Sequence, residues 1–152
     1  MKKIKVLLGL LVCGLIVTAC FGTRTLTCTM TEEESGFKLD HRVSMRLRGN
    51  ELVSMNARII YTAENDVARD ALSEVENQMS YLSEFFEDMN GVTTSSSRRN
   101  NTFTFEMDVN YSDLSEEDME VLDIAPVDIE DINNVDIDEI RRELESEGFS
   151  CR

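Results

Sequence analysis

From Phe37 to Arg48 the chain alternates without a break. Phe37, Leu39, His41, Val43, Met45 and Leu47 fall on odd positions, and Lys38, Asp40, Arg42, Ser44, Arg46 and Arg48 on even ones. A period of two over that length fits an extended strand with one buried and one wetted face, because successive side chains of a strand point to opposite sides. It also favours antiparallel pairing, since parallel strands are covered on both faces and read as continuous apolar runs. Arg48-Gly49-Asn50-Glu51 predicts a tight reversal, and Val53, Met55, Ala57, Ile59 and Tyr61 carry the apolar phase back along a third strand. Upstream, Leu26, Cys28 and Met30 alternate with threonines as a first strand, closed by a polar turn at Glu32-Glu33-Glu34-Ser35-Gly36.

The period then changes. Val67, Ala71, Val75, Met79, Leu82, Phe86 and Met89 step by three or four, and Leu72 and Phe85 widen the stripe. This predicts an amphipathic helix of about 25 residues, capped by Asn65 or Asp66 and stopped at Asn90-Gly91. Such a Met and Phe stripe reads as core rather than as a ligand groove. Val92 to Arg99 is extended and polar, and Asn100-Asn101 is a turn. Phe103, Phe105, Met107, Val109 and Tyr111 then resume the odd-numbered alternation. Ser115-Glu116-Glu117-Asp118 has the form of a helix N-terminus. Pro126 opens an acidic connector to Asn134, and a last helix covers Asp136 to Glu147 and stops at Gly148. The expected architecture is one α+β domain, in the order β-β-β-α-β-β-α-α. A five-stranded antiparallel sheet has the long helix and the C-terminal helix on its apolar face.

The N-terminus places that domain. Met1-Lys2-Lys3-Ile4-Lys5 is cationic, and Val6 to Val17 is an apolar run of twelve residues. A membrane-spanning helix needs roughly 20 residues, so the run fits the apolar core of a secretory signal. It ends in Val17-Thr18-Ala19-Cys20, a branched residue and two small ones before a cysteine, which is the pattern of a lipobox. The expectation is a signal peptide over 1–19, a lipid on Cys20, a short tether over 20–24 and the folded domain over 25–152. The competing reading is a plain signal peptide with an incidental cysteine. Lipidation would hold the chain on the extracytoplasmic face of the cell membrane through its N-terminal lipid.

Charge and cysteines fit that compartment. The full chain carries 30 acidic and 15 basic residues. Loss of Lys2, Lys3 and Lys5 with the signal leaves 12 basic residues and a formal charge of −18. Nucleic-acid binding needs a basic footprint and is not expected. Cys13 leaves with the signal and Cys20 is acylated, so Cys28 and Cys151 remain as a pair at opposite ends of the domain. Outside the cytoplasm they are expected to form a disulfide; two unrelated buried thiols are the alternative.

Three further constellations could carry chemistry. Arg42, Arg46, Arg48 and Arg58, with Lys38, share the wet strand face and form a positive stripe. Guanidinium forks suit carboxylates and phosphates, so the stripe is a candidate anion site; cross-strand pairing with the abundant acids is the competing reading. Asp123, Asp128, Glu130, Asp131, Asp136 and Asp138 offer oxygen ligands, but their spacing matches no calcium loop. Ile129, Ile132, Val135 and Ile137 interleave with them as if one side packs down. His41 shares the apolar face with Leu39 and Val43, where a satisfied core or edge histidine is the expectation. No phosphate loop, Ser-His-Asp set or CxxC motif is present, and no cofactor, metal site or catalytic residue is expected.

From about Val43 to Phe149 the chain resembles the YehR-like lipoproteins, a bacterial family of uncharacterised function. The likeness rests on the lipobox Val17-Thr18-Ala19-Cys20 and the hairpin Arg48-Gly49-Asn50-Glu51-Leu52-Val53. It also rests on Asn90-Gly91-Val92 followed by the strand Asn101 to Asp108, and on Glu147-Gly148-Phe149. The resemblance implies a small lipid-anchored α+β domain and brings no catalytic residues with it. The functional expectation is a non-enzymatic interaction module at the cell envelope, facing another envelope protein or a wall component. A binding protein for a small ligand or divalent cation is the second reading.

Overall fold

The computed structural model describes residues 22–122 and 132–152. The alternating segments form one antiparallel sheet of β1 (Thr23–Glu34), β2 (Phe37–Arg48), β3 (Glu51–Ala63), β4 (Val92–Arg99), β5 (Thr102–Asn110) and β6 (Ser150–Cys151). Their spatial order is β4-β5-β3-β2-β1-β6. Three helices, α1 (Asp66–Phe86), α2 (Glu116–Val121) and α3 (Ile137–Ser146), complete the α+β domain. The sheet was expected with five strands; β6 is the sixth, and its two residues are too few for any periodic signal.

Two turns set the register. Ser35 and Gly36 alone join β1 to β2, both with positive φ (51° and 84°), the backbone that matches strand twist in a two-residue hairpin. Glu32, Glu33 and Glu34, expected in the turn, therefore continue β1 and face Leu39, Lys38 and Phe37. Thr23 and Arg24, expected in the tether, also belong to β1, and Arg24 donates to the Gly49 carbonyl at 3.0 Å. On β3 the register slips: Arg46 faces Ser54 while Leu47 faces Leu52. Val53 is the extra residue of this bulge. Leu52, 1% exposed, takes the core position assigned by alternation to Val53.

The Asn65 side chain accepts from the Ala68 N–H at 2.9 Å and starts α1. The face turned to the sheet is Ala68, Leu72, Val75, Met79, Leu82 and Phe86, a clean four-three spacing. Val67 and Phe85, expected in the stripe, are 79% and 53% exposed. Each lies one residue, about 100° of helix rotation, off that face. The helix ends at Phe86, three residues before the expected Met89, although Met89 still packs on the core.

Ser115 and Asp118 form a reciprocal capping box on α2, and Asp136 caps α3 through the N–H groups of Asp138 and Glu139. At the end of α3, Gly148 (φ 102°) lets the Phe149 N–H reach the Leu144 carbonyl at 3.0 Å. This stop redirects the chain into β6, where Cys151 lies directly opposite Cys28 and the two are bonded (S–S 2.02 Å).

The core falls into two clusters on one sheet face. One gathers Leu26, Met45, Leu47 and Met55 with Ile137, Ile140 and Leu144 of α3 and with Phe86. The other gathers Phe103 and Phe105 of β5 with Ala68 and Leu72 of α1. Both helices therefore cover the same face, and the even face of β2 stays open.

Candidate functional site

The open face is set by alternation alone. Arg42 and Arg46 on β2 stand beside Arg58 of β3, whose cross-strand partner is Arg42. The structure divides the four arginines. Arg58 donates to Glu106 Oε2 through Nη2 at 2.8 Å and Nε at 3.2 Å, and Asn56 donates to Glu106 Oε1 at 2.7 Å. Arg58 is thus taken by cross-strand pairing. Lys38 is likewise held by Asp40 at 3.2 Å. Among the described residues the side chains of Arg42, Arg46 and Arg48 make no hydrogen bond or ion pair. Arg42 and Arg46, four residues apart on one strand, are about 13 Å apart. A shallow groove of about 410 Å³ runs past Arg46, lined also by Thr25, Ser44, Asn56, Thr93 and Asp108.

The Arg58 hydrogen bonds, then that from Asn56, hold the Glu106 carboxyl below its usual range. A depressed acid contributes stability above its unfolded pKa and loses it as pH falls through the folded value. We expect Glu106→Gln to cost less than about 1 kcal/mol at neutral pH, as for other partly exposed pairs. The variant should also lose less stability than the parent below about pH 4.5, in urea titrations at several pH values. An unchanged acid limb would show that the pair contributes nothing.

The apolar face carries a second feature, which periodicity does not show. Between α1 on one side and Phe149 on the other lies a cleft of about 300 Å³. Its floor is Ala57, with Val43 and Met107 as its cross-strand neighbours. Met79, Leu82 and Phe86 of α1 form one wall. His41 stands at the margin; its Nε2 meets Glu32 Oε1 at 2.9 Å, and its ring lies 6.5 Å from that of Phe149. His41 is thus a satisfied edge histidine. Burial raises the Tyr61 phenol, helped by Glu34 and Glu32. The one sequence sign of the cleft is the small Ala57 in an otherwise bulky row. Met79 and Phe86 belong to the core, as read, and also line the cleft.

The acidic connector lies partly outside the described residues: Asp123, Asp128, Glu130, Asp131 and Ile129 are not placed. Of the rest, Asp136 is a helix cap and Asp138 pairs with Arg141 at 3.2 Å. Ile132, Val135 and Ile137 pack on the core, as their interleaving implied. Among the described residues no three His, Cys, Asp or Glu side chains are grouped to hold a metal, and no helix is long and apolar enough to cross a membrane. Cys20 and the signal segment also lie outside the described residues.

No family model matches the chain, and no curated protein matches it in sequence. Two solved structures share its fold. The NMR structure of the Escherichia coli YehR protein aligns with a TM-score of 0.60 at 9% identity, covering 86% of this chain and 92% of that one. The NMR structure of a protein from Streptococcus pneumoniae TIGR4 aligns with a TM-score of 0.56 at 10% identity, covering 86% of each. At such identities the likeness is one of fold and carries no site residues. The fold implied by the resemblance to YehR-like lipoproteins is the fold this chain adopts.

Proposed function

We propose that this chain is a non-enzymatic contact module, held by lipid on Cys20 at the extracytoplasmic face of the cell membrane. Its open sheet face would dock an acidic patch of another envelope protein. The observation that carries this reading is the free guanidinium set Arg42, Arg46 and Arg48 in a chain of formal charge −15. Arginine side chains with no hydrogen bond or ion pair among the described residues, on a face that no described helix covers, are suited to pair with carboxylates across an interface; of the three, Arg42 also acts at longer range on the Glu106 carboxyl. The surplus acid elsewhere keeps the same protein from non-specific contact with anionic lipid.

Two measurements test the two halves. Cells expressing the full chain should incorporate labelled palmitate into it, and Cys20→Ala should abolish the label and release the protein from membranes after signal cleavage or leave it as precursor. Label retained on Cys20→Ala would refute the anchor. Crosslinking of the anchored protein in intact membranes should capture a discrete partner, and Arg42→Glu with Arg46→Glu should lose it. Capture that survives both reversals would refute the proposed face.

A further inference from the structure

The cleft on the apolar face lies on the opposite side of the sheet from the face that bears the arginine side chains, although Arg42 and Arg58, the chain neighbours of Val43 and Ala57, border its floor. Its floor is low because Ala57 sits in the middle of β3, between the bulkier Val43 and Met107. Its α1 wall holds Met79, an unbranched and adaptable side chain, so the shape can yield to a flexible guest. Its volume of about 300 Å³ is at the lower end of small-molecule sites. Phe86 of the wall touches Phe85 edge to face, with ring centroids 5.1 Å apart, and Phe85 is 53% exposed.

The polar margin has a definite sign. Glu32 and Glu34 occupy even positions of β1, in phase with Leu26 and Cys28, and so fall on the side of the sheet that bears the cleft. Glu32 meets His41 at the margin, and both acids act on Tyr61. Glu34 makes no ion pair among the described residues. An anionic head would meet two carboxylates here, whereas an ammonium would find one already free.

We propose that the cleft takes the tail of a single-chain amphiphile with a cationic amine head, the head lying at Glu32 and Glu34. The apolar walls shelter the tail, and the two acids select the head.

The test uses the full chain in phosphatidylcholine vesicles and a dodecylamine probe carrying a diazirine and an alkyne. Irradiation should give adducts that map to the wall segments around Met79, Phe86 and Phe149. Unlabelled dodecylamine should compete about tenfold better than dodecanoic acid. Ala57→Phe, which fills the floor, should remove the adducts, and Met79→Trp should do so from the opposite wall if the first variant fails to fold. Glu34→Gln should keep the adducts and narrow the preference for the amine. Adducts that persist in a folded floor or wall variant, adducts spread evenly over the chain, or equal competition by dodecanoic acid would each overturn the proposal.

Discussion

Reduction of the Cys28–Cys151 bond lowers the thermal midpoint by roughly 10–20 °C. The bond joins residues separated by 123 positions. In the chain-entropy model a loop of that size restricts the unfolded ensemble by about 4–5 kcal/mol, and removal of native bridges from small secreted domains costs about 2–5 kcal/mol. For a domain of this length each kcal/mol moves the midpoint by about 3–5 °C. The two cysteines are direct cross-strand partners in β1 and β6, flanked by the mutual hydrogen bonds of Thr27 and Arg152 at 3.0 and 2.9 Å. The bond thus sits at the non-hydrogen-bonded position of the ladder, where side chains approach most closely. Calorimetry with and without reductant checks the value, and the double variant Cys28→Ala, Cys151→Ala checks it without free thiols. A change under about 3 °C would mean that the unfolded chain is little restricted by the link.

A local consequence accompanies the global one. β6 is two residues long and has little to hold it besides the bond, the Thr27–Arg152 pair and the Schellman stop at Gly148. After reduction, exchange of the Arg152 N–H should accelerate before that of the β2–β3 ladder. Phe149, two residues from Cys151, is also a wall of the apolar cleft. The disulfide that closes the fold therefore also fixes one side of its cavity, and the oxidising compartment expected from the N-terminal signal is where that support persists.

The parts legible in the sequence were those governed by local periodicity. The alternation from Phe37 to Leu47 and from Phe103 to Val109 assigned faces correctly, because each strand position has only two orientations. The caps at Asn65, Ser115 and Asp136 lay at expected helix starts for the same reason: the side-chain hydrogen bond is made within three residues. What escaped was set by tertiary context. The bulge that hands the core position from Val53 to Leu52 depends on how β3 meets β2. The face of α1 depends on which of two adjacent residues, Val67 or Ala68, the sheet can receive, and the small one packs closest. The arginine stripe was visible as a stripe, but only the partner strand β5 shows that Glu106 removes Arg58 from it. The cleft left no mark in the sequence beyond the small Ala57, because a cavity is a difference in volume between elements that sequence pattern treats alike.

Phe103→Ala is expected to cost about 3–5 kcal/mol, against under about 0.5 kcal/mol for Phe85→Ala. Both are aromatic residues in apolar-patterned segments, and only their placement separates them. Phe103 is 0% exposed, packed with Leu72 and Ala68 of α1, and its ring lies 6.3 Å from that of Tyr61. Truncation there leaves a void that the backbone cannot close, since β5 is hydrogen-bonded to β3 on one side and β4 on the other. The lost cluster also anchors the N-terminal half of α1, whose inward residues there are Ala68, Leu72 and Val75. Phe85 is already 53% exposed, and its ring contact is with the neighbouring Phe86. Against a total stability on the order of 5–15 kcal/mol, the first change removes about a fifth or more and the second is barely measurable. Urea unfolding of the two variants side by side, with unchanged m-values, gives the comparison. A Phe103→Ala loss below about 1 kcal/mol would mean that this second cluster is not a packed core, and that the hold of α1 on the sheet rests on Leu82 and Phe86 alone.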